Sequence, residues 1–381
     1  MIRKNIIKPG NDTLYNQLII SFKEQILNGS LPAGVKLPTE VELSKSHQLS
    51  RGTVRLALSN LENEGLLERV QGRGTFVRNI ISNPEPTVSN RGKRIGLVLN
   101  RPLTSQINLE ILVGVEQATK SRGYQLTFAY CEENQEQQLQ DITRMLDDQV
   151  AGLVIFPVSS QQDDKSIELL RSKNVPFVLV DRYFPHIDCD YVIADNEGGA
   201  YRATQHLLIL GHRHIGFGIN NVENLQTTSV RSRWEGYRRA LEDYQLPYDE
   251  RLIFQQPKPD EGSMQTEFEK FLSQPNRPSA IFALNDNLAL ELLQTSQRAG
   301  IRVPEELALI GFDNLSFSSH LNPSLTTVAQ PLMDIGFRAG DLIIHLINSQ
   351  PGHYKHLILP TNLIVRDSCG SRLHILKSRA S

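Results

Sequence analysis

Two groups of residues in this chain are suited to chemistry. The first is Arg51 and Arg55, four residues apart, beside Ser50 and Thr53. On a helix that spacing places both guanidinium groups on one face. An arginine fork matches guanine O6 and N7, and Ser or Thr can meet a phosphate or a thymine methyl. The plain alternative is a solvated helix face. The second group follows short apolar runs: Asn100 and Arg101 after 95–99, Asp181 and Arg182 after 177–180, Asp195 and Asn196 after 191–194, Asn285 and Asp286 after 280–284, and Asp313 and Asn314 after 307–312. Carboxylates, carboxamides and guanidinium groups suit a polyhydroxy ligand, because each hydroxyl both donates and accepts. Turn formation by Asp and Asn explains any one of these sites, and five together poorly.

Catalytic patterns are missing. There is no GxxxxGK with a following Ser or Thr, no GxGxxG after a strand, no HExxH and no GxSxG. His212 and His214 form an HxH with His206 nearby, but Arg213 intervenes and no carboxylate completes a metal set, so they read as turn histidines. Asp147-Asp148 and Asp163-Asp164 lie in polar helical surroundings and read as solvated. No catalytic residue, metal or cofactor is expected, and the chain is not expected to be an enzyme.

The arginine pair needs a scaffold, and residues 1–78 describe one. Leu14, Leu18, Phe22, Ile26 and Leu27 recur at helical spacing before Gly29. Thr39-Glu40-Val41-Glu42 is a capping box that opens a short helix ending near His47. Ser50 caps a third helix, with Val54, Leu58 and Leu61 on its buried stripe and the arginines opposite. Two short strands, 66–70 and 75–77, flank Gln71-Gly72-Arg73-Gly74, whose glycines permit a tight hairpin. Arg73 at that tip is placed for a minor groove. Helix, helix–turn–helix and β-wing together predict a DNA-reading head.

The charge distribution agrees. Residues 1–79 carry 11 Lys/Arg and 7 Asp/Glu, leaving 29 and 35 in the remainder, so a basic head precedes an acidic body. A polar, proline-bearing linker is expected over 79–92. From 93 to 381 the pattern becomes strand–helix alternation. Apolar runs at 95–99, 153–156, 177–180, 215–219, 280–284 and 307–312 alternate with amphipathic segments such as 107–122, 136–148, 198–210, 231–244, 287–299 and 332–348. Repeated βα units predict an α/β fold of parallel sheets flanked by helices, and the length favours two lobes. Such sheets bind ligands beyond the carboxyl ends of their strands, where the second group lies.

With 381 residues, 39% hydrophobic and 22% charged, the chain reads as globular, with no apolar run long enough to span a membrane. Cys131, Cys189 and Cys369 are far apart without a CxxC, which excludes a disulfide framework and a zinc ribbon. Met-Ile-Arg-Lys-Asn has no apolar segment after its charges, so a cytoplasmic location is expected.

The segment LPTEVELSKSHQLSRGTVRLALSNLENEGLLERVQGRGTFV resembles the winged helix–turn–helix of the GntR regulators. The resemblance, over 13–78, implies operator contacts from Thr39, Ser50, Arg51, Thr53, Arg55, Gln71, Gly72, Arg73, Gly74 and Thr75. Many members carry arginine where this chain has Val41. The segments KRIGLVLN, ADNEGGAYRATQHLLILGHRHIGF, RSRWEGYRRAL, SAIFALNDNLALELLQTSQRAGIRVPEELALIGFDNL and LPTNLIVRDSC resemble the effector domain of LacI/GalR regulators, itself similar to periplasmic sugar-binding proteins. This implies two lobes joined by three crossovers, dimerisation, and an effector held by Asn100, Arg101, Arg182, Asp195, Arg233, Asn285 and Asp313. Arg231 beside Arg233 leaves a sugar phosphate or acid open, and Trp234 is either a sugar platform or core. A GntR head on a LacI-type sensor resembles the arabinose repressor group. The expected function is a homodimeric repressor of carbohydrate genes that binds double-stranded operator DNA and is released by a sugar-type effector. A transport binding protein and a sugar-modifying enzyme with a fused head are the competing classes.

Overall fold

The computed structural model describes residues 14–27, 30–32, 34–47, 49–63, 66–70, 74–77, 93–102, 104–160, 164–220, 225–258, 262–348 and 353–372. Two compact units divide the chain, Met1–Val88 and Ser89–Ser381.

In the first unit three helices, α1 (Leu14–Leu27), α2 (Glu40–His47) and α3 (Arg51–Asn63), precede an antiparallel pair, β1 (Leu67–Val70) and β2 (Gly74–Val77). Leu18, Phe22 and Ile26 of α1 bury against Leu43 of α2 and Val54, Ala57, Leu58 and Leu61 of α3. Both predicted caps form. Thr39 Oγ1 accepts from Glu42 N–H at 3.3 Å while Glu42 accepts from Thr39 N–H at 2.8 Å, and Ser50 Oγ accepts from Thr53 N–H at 3.0 Å. Residues 35–37 run alongside β2, through Leu37 N–H to Thr75 O and Val77 N–H to Val35 O, so the wing is broader than the hairpin. Gly74 has φ +120, and a Cβ there would press on the Lys36 side chain, so the wing needs glycine at that position.

The second unit has two lobes, each with a six-stranded sheet among the described residues. Lobe 1 contains β3 (Arg94–Leu99), α4 (Gln106–Ser121), β4 (Gln125–Tyr130), α5 (Gln135–Asp147), β5 (Gly152–Ile155), α6 (Lys165–Ser172), β6 (Phe177–Val180) and β7 (Asp190–Ala194). The chain then enters lobe 2 for α7 (Asn196–Ile209), β8 (Ile215–Ile219), α8 (Thr228–Asp243), β9 (Ile253–Gln255), α9 (Met264–Leu272), β10 (Ala280–Ala283), α10 (Asp286–Arg298), β11 (Ala308–Asp313) and β12 (Thr326–Ala329). It returns to lobe 1 for α11 (Leu332–Asn348) and β13 (His356–Leu359), and ends in lobe 2 with β14 (Asn362–Ile364). The sheet orders are β13-β7-β6-β5-β3-β4 and β14-β12-β11-β10-β8-β9, all parallel except β12 with β14. These are the two lobes and three crossings expected.

Buried aliphatic and aromatic strand residues pack beneath the helices, for example Ile95, Leu97, Val154 and Val178 in lobe 1, and Phe217, Phe282, Leu309 and Phe312 in lobe 2. Helices α4 and α11 touch backbone to backbone. A Cβ on Gly114 would strike Met333 O, and one on Gly336 would strike Ile111 O. Helices α7 and α8 begin two and three residues earlier than the apolar pattern suggests; the Asp195 side chain caps α7, whereas Thr227 precedes α8 without a side-chain capping bond. The three cysteines are buried and none is in a disulfide.

One polar expectation fails here. Asp164, read as solvated, is buried as the N-cap of α6, accepting from Ser166 N–H at 3.0 Å. Its partner Gln138 of α5 is fully buried and donates to Asp164 and Ser166. A buried polar pair that satisfies itself looks in sequence like a polar surface. No helix among the described residues is long and apolar enough to cross a membrane.

Candidate functional site

On the head, the core face of α3 leaves Arg51, Gly52, Arg55 and Leu56 exposed on the opposite side, with Thr53 and Ser59 at its margins. Arg55 is not an unrestrained side chain. Its guanidinium pairs with Glu40 at the start of α2 at 3.1 Å, which aims it from a second helix. Ser50 and Thr53 hydroxyls bond to each other at 2.8 Å within the cap, and the Thr39 hydroxyl is engaged with Glu42 at 2.8 Å. Leu56, 61% exposed, sits beside Gly52 at the centre of the outward face. That strip offers no hydrogen bond, and the thymine methyl is the apolar feature of the major groove. Sequence reading passed over Leu56, although an apolar residue off the buried stripe was the available signal. Val41 is exposed near Glu40. Gly74 and Thr75 lie in β2. Gln71, Gly72 and Arg73 fall outside the described residues.

In the second unit the strand ends meet at the cleft between the lobes. From lobe 1, Asn100 is fully buried and donates to Pro157 O at 3.1 Å. Arg182, also buried, donates to Val158 O at 2.7 Å and reaches Pro157 O, with Asp181 3.5 Å from its Nε. From lobe 2, Arg233 of α8 donates to Asn196 Oδ1 at 2.8 Å and Leu284 O at 2.9 Å, stacks 3.8 Å from the Phe312 ring centroid, and lies 3.5 Å from Asp313. Asp313 accepts from Gln330 at 2.7 Å. Burial pushes the Arg182 and Arg233 pKa values down, opposed by Asp181 and Asp313 respectively. Burial likewise pushes the Asp313 carboxyl up, against the pull of Arg233. Asp181 (φ 66) and Asp313 (φ 111) both adopt positive φ without being glycine, a strain found where side chains must be aimed.

Several buried polar atoms here have no hydrogen-bond partner: Asn100 Oδ1, Arg101 Nε, Asn108 Oδ1, Arg182 Nε, which has only its ion pair with Asp181, and Gln330 Oε1. Buried polar groups are normally bonded, and a ligand that bonds them resolves the exception. Gln330 was not among the expected residues, because the short strand β12, Thr-Thr-Val-Ala, gives little apolar signal.

The lobes touch beside this cluster. Thr228 Oγ1 accepts from Tyr183 N–H at 3.1 Å and lies 3.3 Å from Ser160 Oγ, and Ser229 donates to Asp181 at 3.4 Å. Ser316 N–H donates to Gln106 at 2.7 Å, and Leu315 of lobe 2 packs into the lobe 1 core.

Two expected residues have local roles. Asp195 caps α7 through Gly198 N–H at 2.9 Å and pairs with Arg202 at 3.3 Å. Asn285 caps α10 through Leu288 N–H at 2.9 Å and donates to Asn220 at 3.1 Å. Arg231 is exposed and donates to Leu225 O at 3.0 Å, so it does not pair with Arg233. Trp234 packs partly buried on the lobe 2 core, edge-on to Tyr248, which favours the core reading. His212 bonds Ser279 and His206 bonds Ser371, each at 2.9 Å. Among the described residues no group of three His, Cys, Asp or Glu is placed to hold a metal.

Comparison with known proteins gives two family matches. Residues 14–77 match the bacterial regulatory proteins of the gntR family, and residues 204–369 match the periplasmic binding protein-like domain. The chain is 31% identical to an arabinose metabolism transcriptional repressor of Geobacillus stearothermophilus, over 93% of this chain and 97% of the other. It is 30% identical to the protein of that name from Halalkalibacterium halodurans, over 94% and 96%. Among solved structures it resembles a GntR transcription regulator from Chromobacterium violaceum (31% identity, TM-score 0.62, 73% of this chain and 100% of that one). It also resembles a LacI family regulator from Enterococcus faecium with bound ribose (27% identity, TM-score 0.61, 72% and 98%).

Proposed function

The chain belongs to the family of transcriptional repressors that join a GntR-type head to a periplasmic-binding-protein-like sensor, and we propose how its own residues divide that work. It is a DNA-binding, sugar-responsive repressor. The head, residues 1–78, reads operator DNA with Arg51 and Arg55, while Ser50 and Thr53 anchor the helix start and Leu56 meets a thymine methyl. The wing adds Gln71, Gly72, Arg73, Gly74 and Thr75. Residues 79–92 link the head to the sensor, residues 93–381.

The effector lies in the interlobe cleft against Asn100, Arg101, Arg182, Arg233, Asp313 and Gln330, with Asp195 and Asn285 bordering it as helix caps. Unbonded buried polar atoms at these strand ends are the observation that carries this reading. Sugars are the effector class, and L-arabinose, prompted by the relatives' names, is its reference compound. Cleft closure draws both lobes onto the ligand, and a ligand shifts the equilibrium only through that difference. A homodimer fits the reading. Leu109 and Val113 of α4 and Met333 and Phe337 of α11 are exposed on the tightly paired helices, an apolar patch suited to a second copy.

The test is fluorescence anisotropy on a labelled operator, selected from random duplexes, with and without a sugar panel. Specific binding that a sugar reverses supports the reading. Sequence-independent binding, or specific binding that no sugar alters, counts against it.

A further inference from the structure

We infer that Lys36 is a phosphate anchor of the head: its ammonium binds the DNA backbone between the groove that α3 reads and the wing. The inference rests on the head reading operator DNA, and it adds a contact that fixes register on the duplex without choosing bases.

Lys36 belongs to the wing although it precedes α2. It stands opposite Phe76 of β2 in an antiparallel bridge, between the bonds from Leu37 N–H to Thr75 O and from Val77 N–H to Val35 O, each 2.9 Å. Side chains alternate along an extended strand. Leu37 therefore enters the head core, 3% exposed, while Lys36 stands on the outer face with Phe76. Its Nζ is 6.0 Å from the Phe76 ring centroid. The stem runs further along β2. A Cβ built on Gly74 would come within 2.7 Å of Lys36 Cε and 3.4 Å of its Nζ, so the side chain crosses β2 diagonally to the end of the hairpin, where Val70 pairs with Gly74. Glycine at 74 leaves that path open.

Among the described residues Lys36 makes no ion pair. Glu68 shares its face, because it pairs with Phe76 from β1, but a whole strand lies between them, two sheet spacings or about 10 Å. Glu42 is the acid that senses the lysine. Two hydrogen bonds from Thr39 hold the Glu42 carboxyl below the usual carboxylate range, and the Lys36 charge adds to them. The same helix start carries Glu40, which grips Arg55 of α3 at 3.1 Å. Lys36 thus stands beside the start of α2, between the outward arginine of the recognition helix and the end of the hairpin. On a duplex the sugar–phosphate backbone is what separates the major groove from the minor groove. A cation placed between a major-groove helix and a wing therefore meets a phosphate. Lysine suits that contact as a compact point charge that needs no fixed fork geometry.

The test measures operator affinity by anisotropy across a range of salt, on the full-length protein, for wild type, Lys36→Met and Lys36→Arg. Methionine keeps an unbranched stem over Phe76 and removes the charge. Each phosphate neutralised contributes about 0.9 to the slope of log affinity against log salt. Lys36→Met should lower that slope by about 0.9 for each head bound, and should weaken the selected operator and an unrelated duplex by the same factor. Lys36→Arg should keep the wild-type slope. Operators carrying one neutral methylphosphonate at a time locate the contact. One backbone position per half-site should weaken wild type and leave Lys36→Met unchanged, a result that a residue merely supporting the wing would not give. That comparison is a ratio within each protein, so it stands even where Lys36→Met lowers the melting temperature. A Lys36→Met protein that keeps the wild-type salt slope overturns the inference, as does a methylphosphonate scan identical in the two proteins. A loss confined to the selected operator also overturns it, because that marks a base contact. In all three cases the operator-reading role of Arg51 and Arg55 stands. A wild-type protein that binds no duplex overturns the head reading and the inference together.

Discussion

Replacing Thr228 by valine tests whether lobe closure is the switch. Thr228 begins α8 in lobe 2, and its Oγ1 accepts from the Tyr183 N–H of lobe 1 at 3.1 Å, with Ser160 Oγ at 3.3 Å. Valine keeps the shape and removes the acceptor. With the lobes together, the Tyr183 N–H then has no partner and Ser160 loses one. With the lobes apart, water serves both, so only the closed state is penalised. A buried donor left unsatisfied costs about 1–3 kcal/mol. That is a factor of about 5 to 150 in the closing equilibrium. Because the effector needs the closed cleft, the concentration that half-releases operator should rise by the same factor. Operator affinity without effector should hold or tighten. Anisotropy of labelled operator titrated with effector gives both quantities, and melting temperature reports folding. A release midpoint within about twofold of wild type, in a protein with unchanged melting, refutes closure across Thr228 as the coupled step.

Arg51→Ala and Arg55→Ala should each cost about 1–3 kcal/mol of operator binding and relax base preference, checked by competition with single-base operator variants. Replacing one operator thymine by deoxyuridine should weaken wild type about 4-fold, the worth of one buried methyl, and leave Leu56→Ala unaffected. Arg233→Ala should destabilise the sensor by about 3–5 kcal/mol, because Asp313 stays buried without its partner; urea unfolding measures it, and a loss below about 1 kcal/mol contradicts the burial argument. Burial, with the Asp313 charge beside it, pushes the Asp286 carboxyl from 3.8 to about 7. Between those values the folded state holds a proton that the unfolded state has lost, so stability should fall as pH rises through the window and level off above it. Asp286→Asn should flatten that slope, and an unchanged slope in pH-dependent melting opposes the assignment. Phe337→Glu should yield monomers in sedimentation and weaken binding to a two-fold operator, since the apolar patch on α4 and α11 would carry a charge.

Local chemistry made much of this protein legible in the sequence. The capping hydroxyls of Thr39 and Ser50, the buried stripe Val54, Leu58 and Leu61, and the wing glycine at position 74 act within a few residues, so the head could be read nearly as it stands. The βα alternation works the same way, because each strand's apolar run and each helix's stripe are local patterns. Strand-end positions were also readable, since polar residues there follow directly from where the runs stop.

Which of those polar residues face a ligand was decided only in three dimensions. Asp195 and Asn285 have the same sequence signal as Asp313, yet both are helix caps, while Asp313 is buried beside Arg233, eighty residues away. Arg231 and Arg233 look like a pair in the sequence, but two residues along a helix turn the side chain to another face, one exposed and one buried. Gln330 and Thr228 carried no sequence signal, because their importance comes from crossings that bring distant strand ends together. Whether Arg101 has a partner is likewise a property of the whole cleft. Charge compensation depends on distance through space, and the chain's order does not encode that distance directly.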